Sequence, residues 1–318
     1  MRAMVLPKFG GANLFELREV ERPAPGACEV LVRVVASGTN PVDAKLRANG
    51  TWAGITPPVV LGYDVAGVVE EVGPGVTELK PGDEVYYTPE IHGNPLGSYA
   101  EYNVAPARIM AKKPKNLSFE EAAAIPLAGG TAWEAVIRRI RIRPGETILI
   151  QGGAGGVGSF AVQFAKAAGA RVLATASREH QETLRELGAD AAIDYAGEDV
   201  VEAVLRETGG KGADAAFEVG GENLVSRSLP ALRPFARIAT ILPPAGNLLP
   251  LYRNNMTLYG VFLTRESQRL EEMRSVFERG QVKPLVDQVL PLEQVAKAHE
   301  RLETGHGRGK IVLRVAGG

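Results

Sequence analysis

The sequence predicts an α/β protein in which a doubly wound parallel sheet is inserted into a second, mostly antiparallel β domain. Three observations carry this. From about Glu146 onward short apolar runs alternate with amphipathic segments, the pattern of strands covered by helices on both faces. Over roughly the first 120 residues the strands instead alternate in polarity between Pro- and Gly-rich turns, as a half-solvated antiparallel sheet requires. The second style returns in 286–290 and in Ile311-Val312-Leu313, so the C-terminal segment is expected to rejoin the first domain. The expected boundaries are 1–123 with 265–318 for the β domain and 124–264 for the inserted one.

Length agrees with two domains, since 318 residues exceed the ~100–200 typical of one. The 36 basic and 37 acidic residues leave no net field to gather a polyanion, so nucleic acid is not an expected partner. Cys28 is the single cysteine, which excludes an internal disulfide and a cysteine-rich zinc ribbon. The start Met1-Arg2-Ala3-Met4-Val5-Leu6-Pro7-Lys8 breaks before a signal-length apolar core. No later stretch reaches ~18 apolar residues without a charge. A cytoplasmic protein with no membrane segment is the expectation.

Along the β-rich part, Val30-Leu31-Val32-Arg33-Val34 reads as a strand, and Pro23-Ala24-Pro25-Gly26, Gly73-Pro74-Gly75 and Lys80-Pro81-Gly82-Asp83 read as turns. In the inserted part the apolar runs are 147–150, 171–174, 191–193, 213–219, 237–242 and 258–263. Between the first two, Val157, Phe160, Ala161, Phe164, Ala165 and Ala168 recur at helical spacing on one face, and Gly169 ends that helix. Ser177 is placed to cap the next helix with Gly188 past its end. A third, with Val200, Val201, Val204 and Leu205 inward, stops at Gly209-Gly210. The tail adds a helix near 293–302 before its last strand.

Gly153-Ala154-Gly155-Gly156-Val157-Gly158 fits G-x-G-x-x-G. Its position, directly after an apolar strand and opening an amphipathic helix, is what makes the match specific for a dinucleotide. The first glycine is expected to make the tight turn, Gly155 to admit a pyrophosphate, and Gly158 to let helix and strand pack closely. The anion would rest on free N–H groups at the helix start. The acidic residue that usually grips the ribose hydroxyls of NAD about 20 residues further on is missing. The second strand ends Ala174-Thr175-Ala176-Ser177-Arg178, offering Thr175, Ser177 and Arg178 to a 2′-phosphate, so NADPH is the expected cofactor. Ser177 as a plain helix cap and Arg178 as a solvated side chain remain the competing account. No G-x-x-x-x-G-K-[ST] and no Tyr-x-x-x-Lys occurs, which removes P-loop nucleotide chemistry and the short-chain reductase route.

Further motifs run through the chain in order: Ser37-Gly38-Thr39-Asn40-Pro41-Val42-Asp43, Leu61-Gly62-Tyr63-Asp64-Val65-Ala66-Gly67, Gly82-Asp83-Glu84-Val85, Gly129-Gly130-Thr131-Ala132-Trp133 and Gly309-Lys310-Ile311-Val312-Leu313. On these motifs the chain resembles the medium-chain dehydrogenase/reductase superfamily, in which a Rossmann domain interrupts a GroES-like β domain. Zinc alcohol dehydrogenases of that superfamily place Cys, His and Cys where this sequence has Asn40, Tyr63 and approximately Leu127, a set that cannot hold zinc in that manner. The resemblance is therefore to the zinc-independent quinone oxidoreductases similar to zeta-crystallin, and it implies an NADPH-dependent reductase of quinones or α,β-unsaturated carbonyls. An enoyl-thioester reductase or a non-catalytic NADPH-binding protein on the same scaffold are the alternatives.

The resemblance puts Asn40 at the nicotinamide end of the cofactor. It puts Thr131, Tyr195, Ile241-Leu242-Pro243 and Val261-Phe262-Leu263 along the cofactor, the last through its backbone. Relatives pair the edge strand equivalent to 257–263, so a homodimer is expected. Without a Lewis acid, charge developing on the substrate oxygen needs donors. Asn40 for positioning and Tyr63 for proton donation are the candidate catalytic residues, with a packed ring as the competing account of Tyr63. Lys310, with Arg308 beside it, is a candidate phosphate contact. Asp43 and Asp64 read as turn carboxylates capping backbone or pairing with arginine, and His92 as an exposed loop residue. His299 reads as solvated on a charged helix face, Trp133 as core and Trp52 as a possible aromatic contact. A departure from zeta-crystallin, Ala44-Lys45-Leu46 in place of a tyrosine-bearing turn, is expected to alter substrate preference.

Overall fold

The computed structural model describes residues 1–221 and 223–315. Its N-terminal part contains β1 (Arg2–Leu6), β2 (Glu16–Glu19), β3 (Glu29–Gly38), β4 (Val59–Val60), β5 (Val65–Val72), β6 (Glu84–Tyr87), β7 (Tyr102–Pro106) and β8 (Ala111–Lys112). The long strand β3 organises it, pairing antiparallel with β5 on one side and with β7. Its inward and outward residues are nearly all buried because helix α2 (Phe119–Ala123) covers one face. That is why Val30–Val34 lacks the solvated face the alternation suggested. Ahead of α2 in the chain, α1 (Pro41–Ala48) leaves the end of β3 with a capping box built from Asn40 and Asp43, a reciprocal arrangement that satisfies two orphan backbone donors.

Helix α3 (Pro126–Trp133) then leads through wide π-type turns at Glu134–Ile140 into β9 (Thr147–Gln151). There follow β10 (Arg171–Ala176), β11 (Ala191–Asp194), β12 (Ala213–Glu218), β13 (Leu232–Thr240) and β14 (Thr257–Gly260). All six pair in parallel in the order β11-β10-β9-β12-β13-β14. This is the doubly wound order, and its reversal between β9 and β12 opens a crevice at the carboxyl ends of the strands. Every apolar run read from the sequence is a strand here. The final one, read as 258–263, is a strand only to Gly260; Val261 keeps one bond to the Thr240 carbonyl, and Phe262 and Leu263 run on beyond the carboxyl end of the sheet.

Helix α4 (Gly156–Ala167) follows β9, and residues 158–165 are all buried. The spacing argument gave it one apolar face. The second face is covered by α3, and by Phe277 from the helix Ser267–Glu278, whose ring meets Phe160 and Phe164 with centroids 6.1 Å away. Gln163, buried on the same helix, donates to the Lys283 carbonyl (2.9 Å). Strands β15 (Val286–Pro291) and β16 (Lys310–Arg314) return the chain to the first sheet, β16 antiparallel beside β3. The β15–β16 pair is parallel, an exception to the antiparallel expectation that the helix Val295–Glu303 between them allows.

That helix corrects the reading of His299. The imidazole is fully buried, edge-on to Phe15 and Tyr99, and the Tyr99 hydroxyl lies 3.1 Å from its Nε2. The same hydroxyl donates to Asp43 Oδ2 (2.9 Å), which also accepts the Asn40 N–H (2.8 Å). Burial pushes Asp43 up to about 7 from an ordinary 3.8. Burial, with Arg47 nearby, pushes His299 down to about 3 from 6.5. Folded Asp43 thus keeps a proton that the unfolded chain releases, so its contribution to stability falls as pH rises from about 4 to 7. Folded His299 refuses a proton that the unfolded chain takes up, so its contribution rises over nearly the same window. The two slopes oppose each other in the native protein. Urea unfolding between pH 4.5 and 6.5 should therefore show His299→Asn losing stability with rising pH and Asp43→Asn gaining it, each by up to about 1.4 kcal/mol per pH unit. Parallel profiles in the wild type and both variants would contradict this account.

Candidate active site

The glycine loop is built as a phosphate cradle, with a different division of labour from the one the motif suggested. The left-handed residue is Gly152 (φ +72°), one position before Gly153. Gly153 is required by packing, because a Cβ there would lie 2.8 Å from Leu184 and 2.9 Å from Ala174. At Gly158 a Cβ would come within 2.1 Å of the Gly152 carbonyl oxygen, so only glycine lets the helix start against its own loop. A Cβ on Gly155 would meet only that same oxygen, at 3.4 Å. Its outward side is open where a diphosphate would approach. Gly155 caps α4 without any side-chain partner, leaving the helix-start N–H groups of Val157 and Gly158 for an anion. The residues fit a dinucleotide.

Thr175 serves this loop rather than facing outward. Its hydroxyl accepts the Gly152 N–H (3.1 Å), its carbonyl accepts the Gly153 N–H (2.8 Å), and the residue is buried. Ser177 makes no side-chain cap; its hydroxyl lies 3.4 Å from a Glu179 carboxylate oxygen. Arg178 is exposed, with no hydrogen bond or ion pair among the described residues. His180, which the sequence reading passed over, stands one turn on with its Nε2 buried, 3.6 Å from Glu179.

The remaining candidates collect along the same edge. Tyr195 follows β11 and is half exposed, Ile241, Leu242 and Pro243 follow β13, and Val261, Phe262 and Leu263 follow β14. Each lies beyond the carboxyl end of a parallel strand, as does the glycine loop after β9. The Val261 N–H is already used on the Thr240 carbonyl (2.8 Å), so of that segment's donors it is the one a carboxamide cannot take. Thr131 donates to the Leu127 carbonyl of its own helix (2.7 Å) and so has only lone pairs to offer.

Lys310 departs from the reading as a phosphate contact. Its segment does touch the glycine loop, the Gly309 N–H donating to the Ala154 carbonyl (2.9 Å) and Gly309 bridging to Gly155. The ammonium itself turns inward, where it is buried, and donates to the Thr39 carbonyl (2.7 Å), to the Asn40 Oδ1 and to Asp64 Oδ2 (3.2 Å). Asn40 Nδ2 donates to the same Asp64 oxygen (2.9 Å), while Asp64 Oδ1 accepts the Leu127 N–H (2.7 Å) and the Thr88 hydroxyl (3.3 Å). Asp64 is therefore the centre of the site and not a turn cap. Burial holds its carboxyl above the ordinary carboxylate range, against the downward pull of the Lys310 charge and of hydrogen bonds from Asn40, Leu127 and Lys310. Arg308 instead pairs with Asp287 (3.3 Å).

Asn40 has one amide hydrogen left after Asp64. Tyr63 is fully buried and its hydroxyl has no partner among the described residues; burial and the nearby Asp43 and Glu90 carboxylates hold the phenol well above its ordinary range. Arg265, not anticipated from the sequence, follows the segment beyond β14 and donates to the Leu263 carbonyl and to the Pro89 carbonyl (3.4 Å). Among the described residues no group of three His, Cys, Asp or Glu is placed to hold a metal ion, and no helix is long and apolar enough to cross a membrane.

Comparison with known proteins adds the relationships. The alcohol dehydrogenase GroES-like domain family matches residues 26–115, and the zinc-binding dehydrogenase family matches residues 187–313. The NADPH-dependent alkenal/one oxidoreductase of Arabidopsis thaliana chloroplasts is 36% identical over 98% of this chain and 79% of its own. Human quinone oxidoreductase is 33% identical over 98% of this chain and 97% of its own. A crystal structure of an NAD-dependent alcohol dehydrogenase superposes with a TM-score of 0.93 at 36% identity, covering 99% of this chain and all of that one.

The buried pair makes a direct prediction. Lys310→Met strands the Asp64 carboxylate without its cation, and urea unfolding should show a loss of about 3–5 kcal/mol. Adding Asp64→Asn to that variant should restore much of the loss, because the uncompensated charge is then gone. A double variant as unstable as Lys310→Met alone would overturn the assignment of Asp64 as its partner.

Proposed function

Because this chain belongs to the quinone oxidoreductase family of the medium-chain dehydrogenase/reductase superfamily, we propose that it reduces quinones or α,β-unsaturated carbonyls with NADPH and without a metal ion. The observation that carries the metal-free part is the donor set. Where zinc enzymes of this fold place their ligands, this chain has Asn40, Tyr63 and Leu127, and a lysine ammonium bonded to Asn40 and Asp64. An ammonium there opposes a second cation.

The bound nicotinamide ring supplies the hydride, which goes to a quinone or to the β-carbon of an enone, and a proton completes the hydroquinone or saturated ketone. The chain's own residues do the rest. The glycine loop and α4 hold the diphosphate, with Tyr195, Ile241-Leu242-Pro243 and Val261-Phe262-Leu263 along the dinucleotide. Asn40, fixed at both ends of its amide, offers one N–H of set direction to the cleft. Tyr63, kept protonated by burial, is the proton donor to the substrate oxygen once the domains part enough to admit it. The edge strand β14 supports a homodimer by the same reading, since an unpaired edge needs covering.

A structural neighbour is called NAD-dependent, so the nucleotide preference is argued from this chain's own residues. No acidic residue closes β10, and Arg178, exposed beside it, has no ion pair among the described residues. A 2′-phosphate gives that guanidinium a charged acceptor, worth about 1.5–3 kcal/mol. Steady-state oxidation of NADPH and NADH with a quinone and with but-3-en-2-one tests the proposal. Turnover should favour NADPH, and Arg178→Ala should raise KM for NADPH about tenfold or more while leaving that for NADH within about twofold. Equal use of both nucleotides by the wild type would contradict the Arg178 assignment, and no turnover with any acceptor would contradict the reductase reading.

A further inference from the structure

Three aromatic rings drawn from both domains meet beside the candidate active site. Trp52 is 52% exposed and Phe262 is 66% exposed, far more than rings of that size keep in a structural role. Between them stands His92, its ring 6.1 Å from Trp52 at 82° and 6.0 Å from Phe262 at 36°. Trp52 and His92 belong to the β domain and Phe262 to the inserted one, so the row spans the opening between them.

Short segments tie the row to residues of the site. Trp52 stands in the turn Thr51–Ala53 after α1, a turn joined to the His92 loop rather than directly to Asn40. His92 sits four positions after Thr88, which donates to Asp64, and its loop is stitched to the Trp52 turn by the Gly93 N–H on the Ala53 carbonyl (2.8 Å). Phe262 lies between Val261 and Leu263, beyond the carboxyl end of β14, on the ligand side of the sheet. Isolated apolar side chains on a surface need no explanation. A contiguous row at the mouth of a site, with two rings left partly in water, does.

We propose that Trp52, His92 and Phe262 form a stacking platform that selects flat polycyclic quinones over small open-chain enones. This rests on the reductase reading and narrows its substrate class. His92 meets Trp52 at 82° and so does not stack flat on the indole, and the half-exposed Trp52 ring leaves surface on which a planar acceptor can lay its own π face. An open-chain enone has no such face. Ring contacts of this kind change affinity by a factor of a few to about ten.

Two measurements test it with separate readouts. In the protein saturated with NADP⁺, where no turnover occurs, 9,10-phenanthrenequinone should quench tryptophan fluorescence, and Trp52→Phe should abolish most of that quenching while changing the quinone Kd by less than about threefold. Trp133, the other tryptophan, packs on Phe164 and serves as the silent reference. In steady state, Trp52→Ala should lower the ratio of kcat/KM for 9,10-phenanthrenequinone to that for but-3-en-2-one about tenfold, and Trp52→Phe should restore most of it. An unchanged ratio with unquenched Trp52 overturns the platform. An equal loss with a long aliphatic enal also overturns it, by showing a merely greasy surface. If the wild type reduces neither acceptor, the reductase reading fails, and the quenching experiment still decides the platform.

Discussion

Asp64 and Lys310 are two charges that water would solvate far better than protein, and both are buried at the junction of the sheets. Such a pair survives only when geometry satisfies nearly every polar atom around it. Here the surroundings do so: the carboxylate takes the Leu127 N–H, the Thr88 hydroxyl, the Asn40 amide and the ammonium, and the ammonium takes the Thr39 carbonyl as well. These donors come from the end of β3, the start of α3, the loop after β6 and the start of β16. Four separated stretches of chain must arrive together, so the pair fixes how the β domain closes around Asn40.

The same strand carries the link to the nucleotide side. Gly309, next to Lys310, bonds the backbone of the glycine loop, so the residue that grips the anion cradle and the residue that orients Asn40 are neighbours. The backbone of the glycine loop is thereby linked to the Asn40 amide through Gly309 and Lys310. This connection runs through backbone and a buried ion pair, both stiff elements, and holds the Asn40 amide in a set direction. Preorganised donors are the means by which charge on a substrate oxygen is stabilised when no Lewis acid is present.

The fold was readable in the sequence because its signals are local. Apolar runs, helix spacing and the glycine loop each depend on neighbours within a few residues, and together they point to a doubly wound sheet, whose strand order the structure supplies. What escaped depended on contacts distant in sequence. His299 looks solvated from its own helix, whose other residues are charged, and only Phe15, Tyr99 and Asp43 from elsewhere bury it. Lys310 looks like a phosphate contact from the glycines beside it, and its inward turn is set by Asp64, 246 positions away. Thr175 looks outward from the strand end and instead supports Gly152. Arg265 carries no motif at all. Pairings of this kind leave no periodicity, so residue type and local pattern could name the candidates without saying which way each one faces.

The claim on which the account turns is that the Asn40, Tyr63, Asp64 and Lys310 arrangement does its chemistry without a metal ion. The most direct measurement is elemental analysis and NADPH-dependent quinone turnover on one purified sample, before and after exhaustive dialysis against a strong chelator. The account predicts zinc far below one per chain and the same turnover throughout. Turnover that falls with extracted metal and returns on adding zinc would contradict it.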